Sequence, residues 1–312
     1  MESGSAQPHR LQLTTSKMGS PFTITVFATD TLKARSQLMQ MLAYTDSLIK
    51  IFSDYDTSSE LSQLSRYTTG QPLPVSSVMM DLLLKSQEAW RLSSGSFDVT
   101  AGSITRLWRN AMQQDSWPDA KALKQARRQS GFRHLSLLPM QQAIVFSRAG
   151  MMLNMGGIAK GYIAQKVLDS LKALGLLQVL VDAGGDMVAG LPPPGKPGWR
   201  IGIAAPDSHE ELTESRLWLS EASVATSGKT YRFLEHKGRR YSHIINPRKG
   251  LGVTHHRQVT VVAKDGSLAD WMATACSILP IAKARKLAGR LGAKLWIAEA
   301  QEACERWIVQ PE

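Results

Sequence analysis

Phe22, Ile24 and Val26 alternate with threonines across Pro21 to Ala28, the period-two pattern of a half-buried strand. The period then lengthens. From Thr31 to Phe52, Leu32, Leu38, Leu42, Leu48 and Ile49 fall at helical spacing, and Asp56 to Ser59 supplies turn and cap residues for a short helix beginning at Glu60. Tyr55 lies in the loop between them. Gly70 to Val75, with two prolines, predicts an extended link, and Val78 to Ser93 a long amphipathic helix ending near Gly95. Asp119 to Ser130 predicts a basic helix, and Phe132 to Phe146 a pair of strands around Pro139-Met140-Gln141-Gln142. The polar residues at the start predict a frayed lead-in. The organisation expected is therefore a flexible segment over residues 1–17 and a single domain over 18–312.

The densest pattern is the stretch from Met151 to Asp186. Ala149 to Leu153 reads as the end of a hairpin strand, which Gly156-Gly157 breaks. A helix follows, with Ile158, Tyr162, Val167, Leu168, Leu171 and Leu174 on one face and Gly175 suited to its C-terminal cap. Val179 to Val181 then enters a second turn, Asp182-Ala183-Gly184-Gly185-Asp186. Free N–H groups at a helix start beside a glycine turn favour a phosphate, and Lys160 adds a mobile charge. The spacing is that of neither the P-loop nor the dinucleotide fingerprint, so a helix start packed on a sheet with Lys160 in solvent fits equally well.

Beyond it, the proline-glycine run at Leu191 to Gly198 predicts a surface excursion, and Trp199 to Ala204 and Leu217 to Ala225 predict strands. Ala225 to Gly228 closes a turn. His243 is placed inside an apolar strand two residues before Ile245, near the Asn246-Pro247 turn. Gln258 to Ala263 is a strand, and the helix after it puts Asp270 and Thr274 four residues apart on one face. In Ser93 to Ile104, small residues surround Phe97 and Asp98. That composition permits close backbone approach to a ring or sugar, and serves equally as a helix-to-helix turn capped by Asp98.

The chain has 312 residues, 43% of them apolar and 20% charged, which excludes disorder for most of it. Lysine and arginine number 37 against 26 acidic residues, a net charge of +11 that suits an anionic ligand. The excess is spread over helix faces and turns without aromatic interleaving, which argues against nucleic acid. Cys276 and Cys304 are the only cysteines, so neither a disulfide framework nor a thiolate metal site is supported. No transmembrane segment and no signal peptide can be read, which predicts a cytoplasmic protein as the sequence stands, periplasmic or membrane-anchored if it is truncated.

Four blocks in fixed order resemble the FAD:protein FMN transferase, or ApbE-like, family: MGSPFTITVF with FSDYDTSSELSQLSR, SSGSFDVTAG, NMGGIAKGY through VDAGGD, and YSHIINPRKG through the Asp270 helix. The resemblance implies an α+β fold of two intertwined halves around a shared flavin-binding cleft. It implies magnesium-dependent transfer of FMN from FAD to a threonine or serine of an acceptor flavoprotein, with release of AMP. By the same resemblance, Asp270, Thr274 and the carbonyl of Gly157 hold the metal. Met18, Tyr55, Ser96, Phe97, Asp98, Asn154, Lys160 and the backbone near Ile244 contact the flavin nucleotide, and His243 lies beside the reacting phosphate. Three positions depart from the family pattern: Asn154 stands where aspartate is common, Asn246 and Lys249 replace aspartate and threonine, and Asp182 replaces asparagine. FAD hydrolysis to FMN and AMP, and FAD binding without cleavage, are the competing readings of the same residues.

Overall fold

In a computed structural model, which describes residues 7–66, 69–204, 211–228 and 233–299, the alternating segments build one seven-stranded sheet. Its strands run in the spatial order His9–Lys17, Ser20–Ala28, Val179–Ala183, Met187–Ala189, Ala222–Ser227, Arg257–Ala263, Lys294–Glu299. Every neighbouring pair is antiparallel. Phe22, Ile24, Val26, Val179, Val181, Val259 and Val261 turn to one face, against the helices Thr31–Phe52, Ala159–Ala173 and Gly266–Ile278. Leu180, Met187, Val224 and Val262 turn to the other face, against Trp199, Ile201 and Leu219 of the hairpin Trp199–Ala204/Glu211–Leu219. Both faces are covered, which explains why Val179-Leu180-Val181 is apolar without interruption.

A second core joins distant stretches of chain. Ile104, Trp108 and Ala111 of the helix Gly102–Gln113 pack with Ala126 of the helix Ala120–Arg128, with Leu234 and with Ile245. The Trp108 indole nitrogen donates to the carbonyl of Gly250 at 2.8 Å. Residues 101–126 therefore share a core with residues 234–251, while the sheet takes its strands from before, between and after those segments. This is an α+β fold with an interwoven chain.

The structure differs from the sequence reading at several points. His9–Lys17 is a paired strand, not a flexible lead-in, because Leu11 and Leu13 alternate with outward polar residues and pack on the core. Residues 1–6, His209 and Cys304 lie outside the described residues. The hairpin strand ends at Phe146 instead of reaching Leu153; beyond it only Met152 pairs, in an isolated bridge with Ala101. Within the extended link, Leu73–Pro74 pairs with Ala143 and Ile144. Leu217 to Ala225 is two strands, broken at Glu221, whose φ is +46°. Leu174 is the C-cap and 42% exposed, off the buried face, with Gly175 beyond it at φ +88°. His243 lies in an exposed bend between the strands Arg239–Ser242 and Ile245–Asn246, because Ser242 turns its hydroxyl back to accept from the amide of Ile244 at 3.2 Å.

Candidate active site

Two helices approach closely enough that only glycine fits between them. A Cβ on Gly161 would lie 2.0 Å from the carbonyl oxygen of Gly266, and one on Gly266 would lie 2.3 Å from that of Gly161. This contact sets Asp270, one turn into its helix from the Asp265 N-cap, beneath the first turn of Ala159–Ala173. There its Oδ2 accepts from the amide of Gly161 at 3.0 Å. Asp270 is 5% exposed. Burial above all, and then the negative charge of Asp186, push its pKa up to about 7, against the pull of Lys160 and the Gly161 and Lys160 amides.

Lys160 is ion-paired with Oδ2 of Asp186, whose Oδ1 accepts from the amide of Thr226 at 3.3 Å. Burial works against the ammonium, but Asp186, Asp270 and Asp182 together hold its pKa above the ordinary lysine value. Asp182 is pushed up by burial, partly offset by the Gly185 amide that donates to its Oδ1 at 2.7 Å. With all four groups ionised, the three carboxylates around one ammonium leave two negative charges. A divalent cation would neutralise them.

Two of the three residues expected to hold such a cation, Gly157 and Thr274, are in contact, and the third, Asp270, lies one helical turn before Thr274. A Cβ on Gly157 would lie 2.9 Å from Thr274 Oγ1 and 3.2 Å from the Phe97 ring, so this glycine backs directly onto the hydroxyl. Ser277, on the same helix, bonds back to the carbonyl four residues earlier; Thr274 does not, and its hydroxyl takes no partner among the described residues. A carboxylate, an uncommitted hydroxyl and a turn carbonyl form an oxygen-only set that suits a hard cation.

The other expected residues extend from this centre in a connected chain. Met18 and Gly19 form a two-residue hairpin turn, both with positive φ, and a Cβ on Gly184 would strike Ser20, so the hairpin tip abuts the Asp182–Gly185 turn. Asn154 accepts from the amide of Gly156 at 3.1 Å and donates to Asp54 Oδ2 at 2.7 Å. Arg109 donates to the same carboxylate oxygen at 2.7 Å and lies 4.2 Å over the exposed Tyr55 ring. Ser96 and Phe97 are buried, and the Phe97 ring packs between Gly157 and Trp271, leaving the backbone of this loop as its polar surface.

Asp98 is bound to the protein itself. It accepts from the Thr100 amide and hydroxyl, and from the Phe132 amide at 3.1 Å, so it ties two loops together instead of capping the helix, which starts at Gly102 with no side-chain cap. Burial nevertheless raises its pKa. Ile244 is buried, and its carbonyl accepts from Val253. The turn that follows Ile244 is joined to the Ser96 loop by Arg248, which donates to the carbonyl of Ser94.

These features define an α+β protein with a buried, negatively charged oxygen cluster beneath a glycine turn. Its sequence matches the ApbE family over residues 18–296, and the chain belongs to that family. It is an ApbE-like flavin transferase. The FAD:protein FMN transferase of Klebsiella pneumoniae (strain 342) is 26% identical over 298 residues, covering 93% of this chain and 85% of that protein. That of Treponema pallidum (strain Nichols) is 32% identical over 239 residues, 71% of this chain and 65% of its own. The apo flavinyl transferase ApbE of Pseudomonas stutzeri superposes with a TM-score of 0.86 at 28% identity, over 98% of this chain and 95% of that one. The flavin transferase ApbE of Vibrio cholerae has the same fold, with a TM-score of 0.87 at 22% identity over 98% and 97% of the two chains.

The departures from the family pattern have local reasons. An aspartate at 154 would set a second carboxylate against Asp54, whereas the Asn154 amide supplies a donor. Asn246 accepts from the amides of Arg248 and Lys249 at 3.0 and 3.1 Å, as an aspartate would. Asp182 likewise serves its turn through one acceptor oxygen. Nothing in the structure explains a lysine at 249. Asp54, Arg109 and Asp186 went unassigned in the sequence. Asp186 was visible as the last residue of the AGGD turn, but nothing local marked Arg109, which reaches Asp54 across 55 positions.

Proposed function

We propose that the protein transfers FMN from FAD to a threonine or serine hydroxyl of an acceptor flavoprotein, with magnesium bound, releasing AMP. The observation that supports this best is the contact of Gly157 with Thr274, one helical turn from the buried Asp270, whose charge acts on Lys160. Magnesium held by Asp270, Thr274 and the Gly157 carbonyl would supply the positive charge that a diphosphate needs to enter a cluster of three aspartates around one lysine, and would favour the ionised form of Asp270. Lys160, kept protonated by its three aspartates, adds a fixed charge for the phosphate that leaves with AMP. The acceptor hydroxyl forms the new P–O bond to the FMN phosphorus as the bond to the AMP phosphate breaks, and His243, exposed in its bend, takes the hydroxyl proton. Tyr55, exposed and with Arg109 over its ring and bonded to Asp54, would offer an aromatic face to the flavin.

Incubation with FAD, magnesium and an FMN-binding acceptor domain should add to the acceptor the mass of one FMN less water. His243→Ala should keep FAD binding and lower transfer by about 100-fold or more. FMN and AMP released with the acceptor unmodified would make the protein a hydrolase, and intact FAD after long incubation would make it a carrier.

A further inference from the structure

On the far side of the Ser96–Asp98 loop lies an open cavity of about 470 Å³. Phe97 faces the Gly157 turn, while Asp98, the next residue, lines this cavity. Six cations surround it: Lys124, Arg127 and Arg128 from one helix, with Arg133, Arg148 and Arg248 from three separate segments. None of the six forms an ion pair among the described residues. Several guanidinium groups are instead held by neutral acceptors. Arg127 donates to the carbonyl of Arg248 at 3.2 Å, Arg148 to that of Arg128 at 2.8 Å, and Arg248 to that of Ser94. Carbonyl bonds fix these side chains without cancelling their charge, and a guanidinium has five N–H donors, so most remain for a ligand. The one carboxylate in the lining, Asp98, is occupied by Thr100 and Phe132.

The lining also indicates the kind of anion. A phosphate site is commonly built from free backbone amides. Here the amides of Gly95, Ser130, Gly131, Phe132 and Arg248 are committed within the protein, and those of Asp98, Arg133 and Arg148 lie on separate segments and form no continuous amide cradle. Recognition is left to long side chains spread around an open mouth, an arrangement that matches carboxylates distributed along a peptide. The loop that lines the cavity with Ser94, Gly95 and Asp98 also carries Ser96–Phe97 of the candidate active site, and Pro247–Arg248 follows His243–Ile244 in the chain, with Arg248 bonded to the carbonyl of Ser94.

We infer that this cavity is the docking site for an acidic segment of the acceptor protein, holding it while its hydroxyl reaches the adjacent cleft. The inference rests on the transferase reading, but its test is independent of FAD. A fluorescein-labelled hexaglutamate peptide titrated with the full-length protein should bind at low salt, and more weakly as sodium chloride is raised. Lys124→Glu with Arg133→Glu should weaken that binding by about tenfold or more, and the pair of glutamine substitutions by less. FAD binding, followed by flavin fluorescence, should stay at the wild-type level in both variants. Equal peptide affinity in wild type and both variants overturns the inference. Inorganic pyrophosphate that binds here and is lost in the variants, with no peptide binding, also overturns it and makes the cavity a small-phosphate site. Because the peptide titration contains no FAD, it can fail while flavin transfer succeeds, and the reverse.

Discussion

At Asn154 a single side-chain amide decides whether a loop is stable. Its nitrogen donates to Asp54 and its oxygen accepts from Gly156, so the amide is used at both ends. Asn154→Asp would face Asp54 with a like charge, only partly relieved by Arg109. The folded-state pKa of the new carboxyl would then be raised above its unfolded value. Such a group costs stability above its folded pKa and is relieved below it, so the loss should appear as pH rises. About 1–3 kcal/mol at neutral pH, shrinking in acid, is expected from urea denaturation at a series of pH values. Asn246 and Asp182 show the converse: where only one acceptor oxygen is used, asparagine and aspartate serve alike.

At the scale of elements, one helix-helix contact places the candidate metal ligands. Gly161→Ala puts a methyl group 2.0 Å from a backbone oxygen that no side-chain rotation can move. The helices must separate, and Asp270 with them. A destabilisation of about 3 kcal/mol is expected by chemical denaturation, at the upper end for overpacking, together with weaker magnesium dependence of FAD turnover. Element types were largely legible because the periods were clean: Thr31–Phe52, Glu60–Leu64 and Gly266–Ile278 fall where their apolar spacing and caps place them. The failures came where long-range pairing outweighs local signal. His9–Lys17 is a strand because Ser20–Ala28 folds back on it, and the bend at His243 is set by Ser242 and by pairing across to Gly252. The Gly157–Thr274 contact was expected from a resemblance alone, since no local rule joins residues so far apart; the basic cavity was seen only as scattered charge.

Across the whole molecule, the second core fixes where the His243 loop lies. The Trp108 indole reaches the Gly250 carbonyl and stacks edge-on with Trp117, which in turn stacks on His236 with centroids 4.0 Å apart. Trp108→Phe removes that hydrogen bond and leaves a buried carbonyl without its donor. It should cost about 1–3 kcal/mol in thermal or urea unfolding. Transfer should fall more than FAD binding, because His243 belongs to the tethered loop while Asp270, Thr274 and Gly157 are flanked by Ala269, Trp271, Ala273 and Ile158 of the other core.

The strand order also governs how the chain is born. Phe22, Ile24 and Val26 sit beside Val179–Ala183, which leaves the ribosome about 150 residues later. At roughly 5–20 residues per second, the first hairpin waits on the order of 10–30 s for its neighbour. During that interval the helix Thr31–Phe52, made directly after it, covers part of the apolar face, but the Ser20–Ala28 edge has no partner strand, so the nascent chain presents an open backbone edge to which a strand of another molecule could add.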